Sequence, residues 1–322
     1  MSAIGALAWL GRHGSLLLPG GVFIGILLPP LASLLQPLLL PAIIGPFVIA
    51  LVRLDAARLR HHLRRPLPVV LGLVWLLLLA PLILQGLLSL LPLQPGLHQA
   101  LVLAAAASPL MASASLALII GLDIALAVML TLVATALMPF TLPPLALHLL
   151  GIELEIQVSV LMERLVLLVG GCFALAWLIR RLLPPGFLPR HAAALDGLAI
   201  AGLVLFAVAI MDGFTAMLLA RPGFVLLATL LVCVLNPALQ AITTLLFAWR
   251  GGTEALTIGL CSGNRNLGLL LAAIADKASA ELLIVIAAAQ LPIYILPMLQ
   301  RRLYRRWLEV ELPTEVTKEA AG

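Results

Sequence analysis

Apolar runs bounded by charged residues, Gly or Pro follow one another along almost the whole chain, at about 15–35, 37–52, 67–91, 98–120, 123–149, 158–179, 192–212, 222–249, 253–275 and 280–300. A helix needs about 20 mostly apolar residues to cross the hydrocarbon core of a bilayer, so each run is long enough, or nearly so, to span it. The polar coat of a soluble domain is missing. Charged residues make up 10% of the 322 and apolar residues 63%, against about 25% charged in an ordinary globular protein. Lipid offers no hydrogen bonds, so the backbone must satisfy itself within each run. The expected fold is therefore all-α, a polytopic membrane protein of ten transmembrane helices with short loops.

The placement of charge reads as topology. With the N-terminus on one side, the loops of that side collect Arg12, Arg53, Arg58, Arg60, Arg64, Arg65, Arg180, Arg181, Arg190, Arg250, Arg301, Arg302, Arg305 and Arg306, and the other side collects only Arg221 and Lys277. That asymmetry is what the positive-inside rule produces, which puts both termini in the cytoplasm of a multi-pass cell (inner) membrane. The N-terminus lacks a clean small-residue cleavage site and reads as retained. The basic block RLDAARLRHHLRR at 53–65 sits where attraction to anionic lipid explains it, and nucleic acid is not an expected partner. Cys172, Cys233 and Cys261 lie inside apolar runs without metal-ligand spacing, so neither a disulfide framework nor a zinc site is expected.

The two halves carry matching marks at an offset of about 155 residues. Pro81 and Gln85 answer to Pro237 and Gln240, Ser108-Pro109 to Ser262-Gly263, and Pro139 and Pro143 to Pro292 and Pro297. Chance matches in a Pro-rich chain are the competing explanation. Five spans per half is odd, so two such units insert in opposite orientations. The expected division is a first five-helix repeat at 1–149, a second at 150–300 and a cytoplasmic tail at 301–322. Inverted repeats with interrupted spans point to a secondary transporter with its site near the midplane.

Two segments carry the chemistry. The ninth run holds a polar island, Ser262-Gly263-Asn264-Arg265-Asn266, between apolar stretches. An arginine at a helix centre costs about 2.5–3.5 kcal/mol on insertion scales, and the two amides also need partners. Snorkelling is the bland explanation of Arg265, but the ends of the run are about a dozen residues away, beyond easy reach. Gly263 lets the backbone unwind and line a cavity. In the fourth run Ser108-Pro109 breaks the helix, with Ser113 and Ser115 beyond; small hydroxyl residues are also ordinary packing residues between membrane helices. Together these runs suggest two broken helices, 4 and 9, that cross. Asn236, Gln240 and Thr244 share a helical face and either line the same cavity or bond neighbouring helices. Gln85 and Thr131 are weaker candidates. No catalytic dyad, HExxH, GxGxxG or P-loop is present, so no enzyme activity is expected.

With the ten-run layout, GNRNLGL at 263–269 and GLDIALAVMLT at 121–131 carry a resemblance to the bile acid:sodium symporter family. Gly263, Asn266, Gly268 and Leu269 match that family's Gly-x-Gln-Asn-x-Gly-Leu stretch. The resemblance implies a panel of spans 1, 2, 6 and 7, a core of spans 3–5 and 8–10, sodium sites behind the crossover, and an organic-anion substrate between panel and core. Most of the implied sodium ligands are replaced. The family's glutamate falls on Cys261, its glutamine on Arg265, its Ser-Asn pair on Ala114-Ser115 and a further hydroxyl on Ala127, while Thr131 is retained. The function this implies is secondary transport of a small organic anion in which Arg265 stands in for sodium or pairs with substrate, with no cofactor and no metal beyond a doubtful residual sodium site. A ligand sensor or partner subunit on the same fold is the alternative.

Overall fold

The structure is a computed structural model that describes residues 3–54, 66–149, 157–274 and 277–311, and every regular element among them is helical. Most of the basic block, residues 55–65, lies outside the described residues. The longer helices are α1 (Ala3–Arg12), α2 (Gly14–Leu27), α3 (Pro29–Val52), α4 (Leu67–Leu88), α5 (Pro95–Ala106), α6 (Ser113–Ile120), α7 (Ile124–Leu147), α8 (Val158–Leu182), α9 (Ala192–Ala209), α10 (Phe214–Ala220), α11 (Pro222–Leu246), α12 (Gly252–Gly263), α13 (Leu267–Ile274) and α14 (Ala280–Glu311).

By length and apolarity there are seven spans among the described residues, or eight when α1 and α2, bent by 85° against each other, count as one. The fourth and ninth runs, expected to be broken, are each two short helices, α5–α6 and α12–α13, separated by non-helical backbone, and neither piece is long enough to count as a span. The first boundary also moves. Leu28 leaves the helical region (φ −122°, ψ 67°), and Pro29-Pro30 open α3, where a proline's missing N–H costs nothing. Residues 3–12, ahead of the first apolar run, also form a helix, and α14 continues as helix through Glu311, past the expected boundary at 301.

Two sets of helices pack among themselves. α9 lies against α1, α2 and α3, and α8 lies against α3. In the second set α11 packs on α12 and α14, α14 on α5, α5 on α4, and α7 on α4, α6 and α12. The sets meet along α7–α8, α2–α14 and α8–α13. Polar contacts gather at helix ends. Arg53 pairs with Asp196, and Arg180 Nη1 donates to the Leu54 carbonyl. Arg221 donates to Glu281 Oε1 at 3.2 Å and to Gln94 Oε1 at 2.9 Å. α7 is capped by Asp123, whose Oδ1 accepts from Leu126 N–H at 2.9 Å.

Candidate functional site at the crossing of two broken helices

The breaks of the fourth and ninth runs meet. Leu110 N–H donates to the Asn264 carbonyl at 2.8 Å and Asn266 N–H to the Ser108 carbonyl at 2.7 Å, which makes an antiparallel bridge between Pro109 and Arg265. Extended backbone inside a membrane must find partners outside its own helix, and each break supplies the other's.

Three carbonyls near this bridge have lost their helical donors, each for a local reason. In α4, residues 75–79 are wound as a π-helix and Ala80 N–H turns to the Trp75 carbonyl; the next donor for Leu76 would come from Pro81, which has none. Ala107 ends α5 in an extended conformation (ψ 155°), so its carbonyl leaves the helix. In α12, the Asn266 N–H that would serve Ser262 goes to Ser108 instead. The Arg265 guanidinium takes all three: Nε donates to the Ser262 carbonyl at 2.7 Å, and Nη1 donates to the Leu76 and Ala107 carbonyls at 3.1 and 3.0 Å. The side chain is 4% exposed. Its Nη2 is buried without a hydrogen-bond partner.

The remaining polar groups divide into satisfied and unsatisfied sets. Asn264 Nδ2 donates to the Leu260 carbonyl at 3.0 Å, but its Oδ1 is buried and unpartnered. Asn266 Oδ1 accepts from Leu269 N–H at 3.3 Å and so caps α13. The Ser108 hydroxyl accepts from Thr135 Oγ1 at 3.1 Å, while Thr131 donates to the Ala127 carbonyl at 2.8 Å. The Cys261 thiol faces the hydroxyls of Ser113 and Thr131 and lies beside Arg265. Ser113 Oγ is buried with no hydrogen-bond partner.

On the far side of α12, Asn236 Nδ2 donates to the Gly263 carbonyl at 2.8 Å and Gln240 Nε2 to Asn236 Oδ1 at 2.7 Å, and Tyr304 OH donates to Gln240 Oε1. Thr244 bonds back to the Gln240 carbonyl. Of the two arrangements open to the Asn236–Gln240–Thr244 face, this is the bond between helices. Gly259 and Gly263 let α12 come that close: a Cβ at Gly263 would lie 2.4 Å from Gln240 Cγ and 2.5 Å from the Asn236 carbonyl, and one at Gly259 2.3 Å from Thr244 Oγ1. Trp75 Nε1 donates to Thr243 Oγ1 at 2.8 Å and to Ser262 Oγ at 3.3 Å, which ties α4 to the same pair.

Two expected site residues do not join this network. Ser115 is exposed on α6, because two residues on from the buried Ser113 a helix has turned about 200°. Gln85 is half-buried, about 13 Å beyond Leu76 along α4 at 1.5 Å per residue. Sequence reasoning missed Trp75, Thr243, Thr135 and Tyr304. Only Thr135 had a signal to offer, standing four residues after Thr131 on one face of α7. Arg164 on α8 donates to the Ala273 carbonyl at 3.4 Å, at the C-terminal end of α13.

A sequence profile of the Sodium Bile acid symporter family matches residues 37–221. The match takes in the break at Ser108-Pro109 together with Ser113 and Thr131, and ends at Arg221, ahead of Arg265. Among curated proteins, no sequence matches the chain. The profile covers more than half of the 322 residues, and the chain belongs to the Sodium Bile acid symporter family, a family of membrane transporters.

Proposed function

We propose that the chain is a secondary transporter of a small organic anion that works without sodium, because the Arg265 guanidinium is a built-in cation. The observation that carries this reading is the engagement of three donor-less carbonyls, from α4, α5 and α12, by one guanidinium. A hard monovalent cation would be held by such carbonyls. The side chains at the positions implied for sodium fit it poorly. Cys261 offers a soft thiol, Ala114 and Ala127 offer no donor, and Arg265 brings a positive charge where a ligand would stand. The arginine performs the structural part of an ion's work and cannot dissociate.

On this reading α1–α3, α8 and α9 form the panel, and α4–α7 with α11–α14 form the core that moves against it. The packing of each set within itself supports the division, and the antiparallel meeting of the two breaks supports two inverted repeats joined at the crossover. Ten membrane crossings follow if each broken pair and the bent α1–α2 pair count as one. The expected setting is a cell membrane with both termini cytoplasmic, the partners are lipid and the transported anion, and no catalytic role is assigned.

The test is thermal unfolding of the purified full-length protein in sodium chloride against potassium chloride at equal concentration, beside flux of a labelled bile acid across proteoliposomes in the same salts. Equal melting and equal flux are expected. Sodium bound at 100 times its dissociation constant would add about 2.7 kcal/mol, and a sodium-specific shift of that kind would overturn the reading. Binding of the bile acid without flux would favour the sensor.

A further inference from the structure

Arg265 has five N–H groups, of which Nε uses one and Nη1 two on the carbonyls of Ser262, Leu76 and Ala107. The two on Nη2 are buried and unpartnered, and so is Ser113 Oγ. Arg265 is 4% exposed and Ser113 0%. Both lie beside the Cys261 thiol, itself fully buried. No carboxylate among the described residues pairs with Arg265; its one charged or titratable neighbour there is Cys261. A guanidinium held only by neutral carbonyls keeps its full positive charge, and a buried charge of this kind calls for a counter-charge.

The groups gathered around the Cys261 thiol can donate four protons: two N–H from Arg265 Nη2, the O–H of Ser113 and the S–H of Cys261 itself. Thr131 spends its proton on the Ala127 carbonyl. A halide or a single carboxylate oxygen accepts from all of them and brings the counter-charge that a neutral water cannot. The complete burial of Ser113 and Cys261 limits the occupant to a compact ion.

We propose that Arg265 Nη2 and Ser113 Oγ, with the Cys261 thiol at their side, form a binding site for a compact monovalent anion, either a halide or a small carboxylate. The site shares the caged guanidinium with the function proposed above. It concerns an anion rather than a cation, so the two fail separately.

The experiment uses the purified full-length protein, exchanged into sodium gluconate. Chloride, bromide, formate or sulfate is then titrated in at constant sodium and constant ionic strength, and the melting temperature is followed. The wild type is expected to rise in melting temperature along a saturating curve with chloride and bromide, and sulfate to give no saturating rise. Saturation with formate as well marks carboxylate as a ligand; saturation with halide alone marks the ion as a halide. In Ser113→Ala, which removes one hydrogen bond to an anion and leaves the guanidinium in place, the midpoint concentration should rise about tenfold or more. Three results overturn the site: the same melting temperature in all anions, a non-saturating series led by sulfate, or a Ser113→Ala midpoint equal to the wild type. Replacing sodium by choline at constant chloride reports on the cation reading alone, since it leaves the anion unchanged.

Discussion

Arg265 Nη1 donates to the Leu76 carbonyl at 3.1 Å across 189 positions of sequence. The bond joins two irregularities that make little sense singly. Pro81 and the π-turn before it leave a carbonyl without a donor in the middle of a membrane helix, and the polar island of the ninth run supplies a charged donor with no helix of its own to serve. Each satisfies the other's unmet bond, and the Ala107 and Ser262 carbonyls complete the cage.

Arg265→Gln should be strongly destabilising. An orphaned buried carbonyl costs about 1–3 kcal/mol, and glutamine's single amide group reaches fewer of the three acceptors. Arg265→Lys keeps the charge but loses the planar fork, so it should restore only part of the stability. Melting curves of the two variants beside wild type decide this. A lysine variant as stable as wild type would reduce the arginine to a point charge.

The double variant Cys261→Glu/Arg265→Gln removes the guanidinium and adds a carboxylate beside three vacated carbonyls. Such a set suits a hard cation, so sodium over potassium should now raise the melting temperature where it does not in wild type. Equal melting of the double variant in both salts would count against the idea that arginine occupies a cation's place.

Gly263→Ala should loosen the core. Its Cβ would lie 2.4 Å from Gln240 Cγ and 2.5 Å from a backbone carbonyl, and overpacking of this kind costs about 1–3 kcal/mol. Gly223→Ala, at a position with nothing within 4 Å, should be neutral or slightly stabilising. Unfolding of the two variants measured side by side separates the close approach of α11 and α12 from any general effect of alanine.

Lys277 is exposed between α13 and α14, and the other lysine, Lys318, lies outside the described residues near the C-terminus. In intact cells a membrane-impermeant amine reagent should label Lys277 and spare Lys318 until the cells are permeabilised. The opposite pattern would invert the topology.

Apolar length and the side-by-side count of arginines are local quantities, and they were enough to read an all-helical membrane protein and the places where two of its runs break. Pro109 and the island around Arg265 are legible for the same reason: a proline or a charge deep in an apolar run violates a rule that every neighbouring residue obeys. What those groups bond to is a long-range matter. That the Asn236–Gln240–Thr244 face bonds helices together, that Ser115 turns away from the crossing and Ser113 towards it, and that Tyr304 is buried against Gln240 rather than lying in a tail depend on the relative rotation of packed helices, which no periodicity within one segment encodes. The π-turn at 75–79 belongs to the same class. Pro81 announces a missing donor, but only the tertiary structure brings Arg265 to the carbonyl that the missing donor left free.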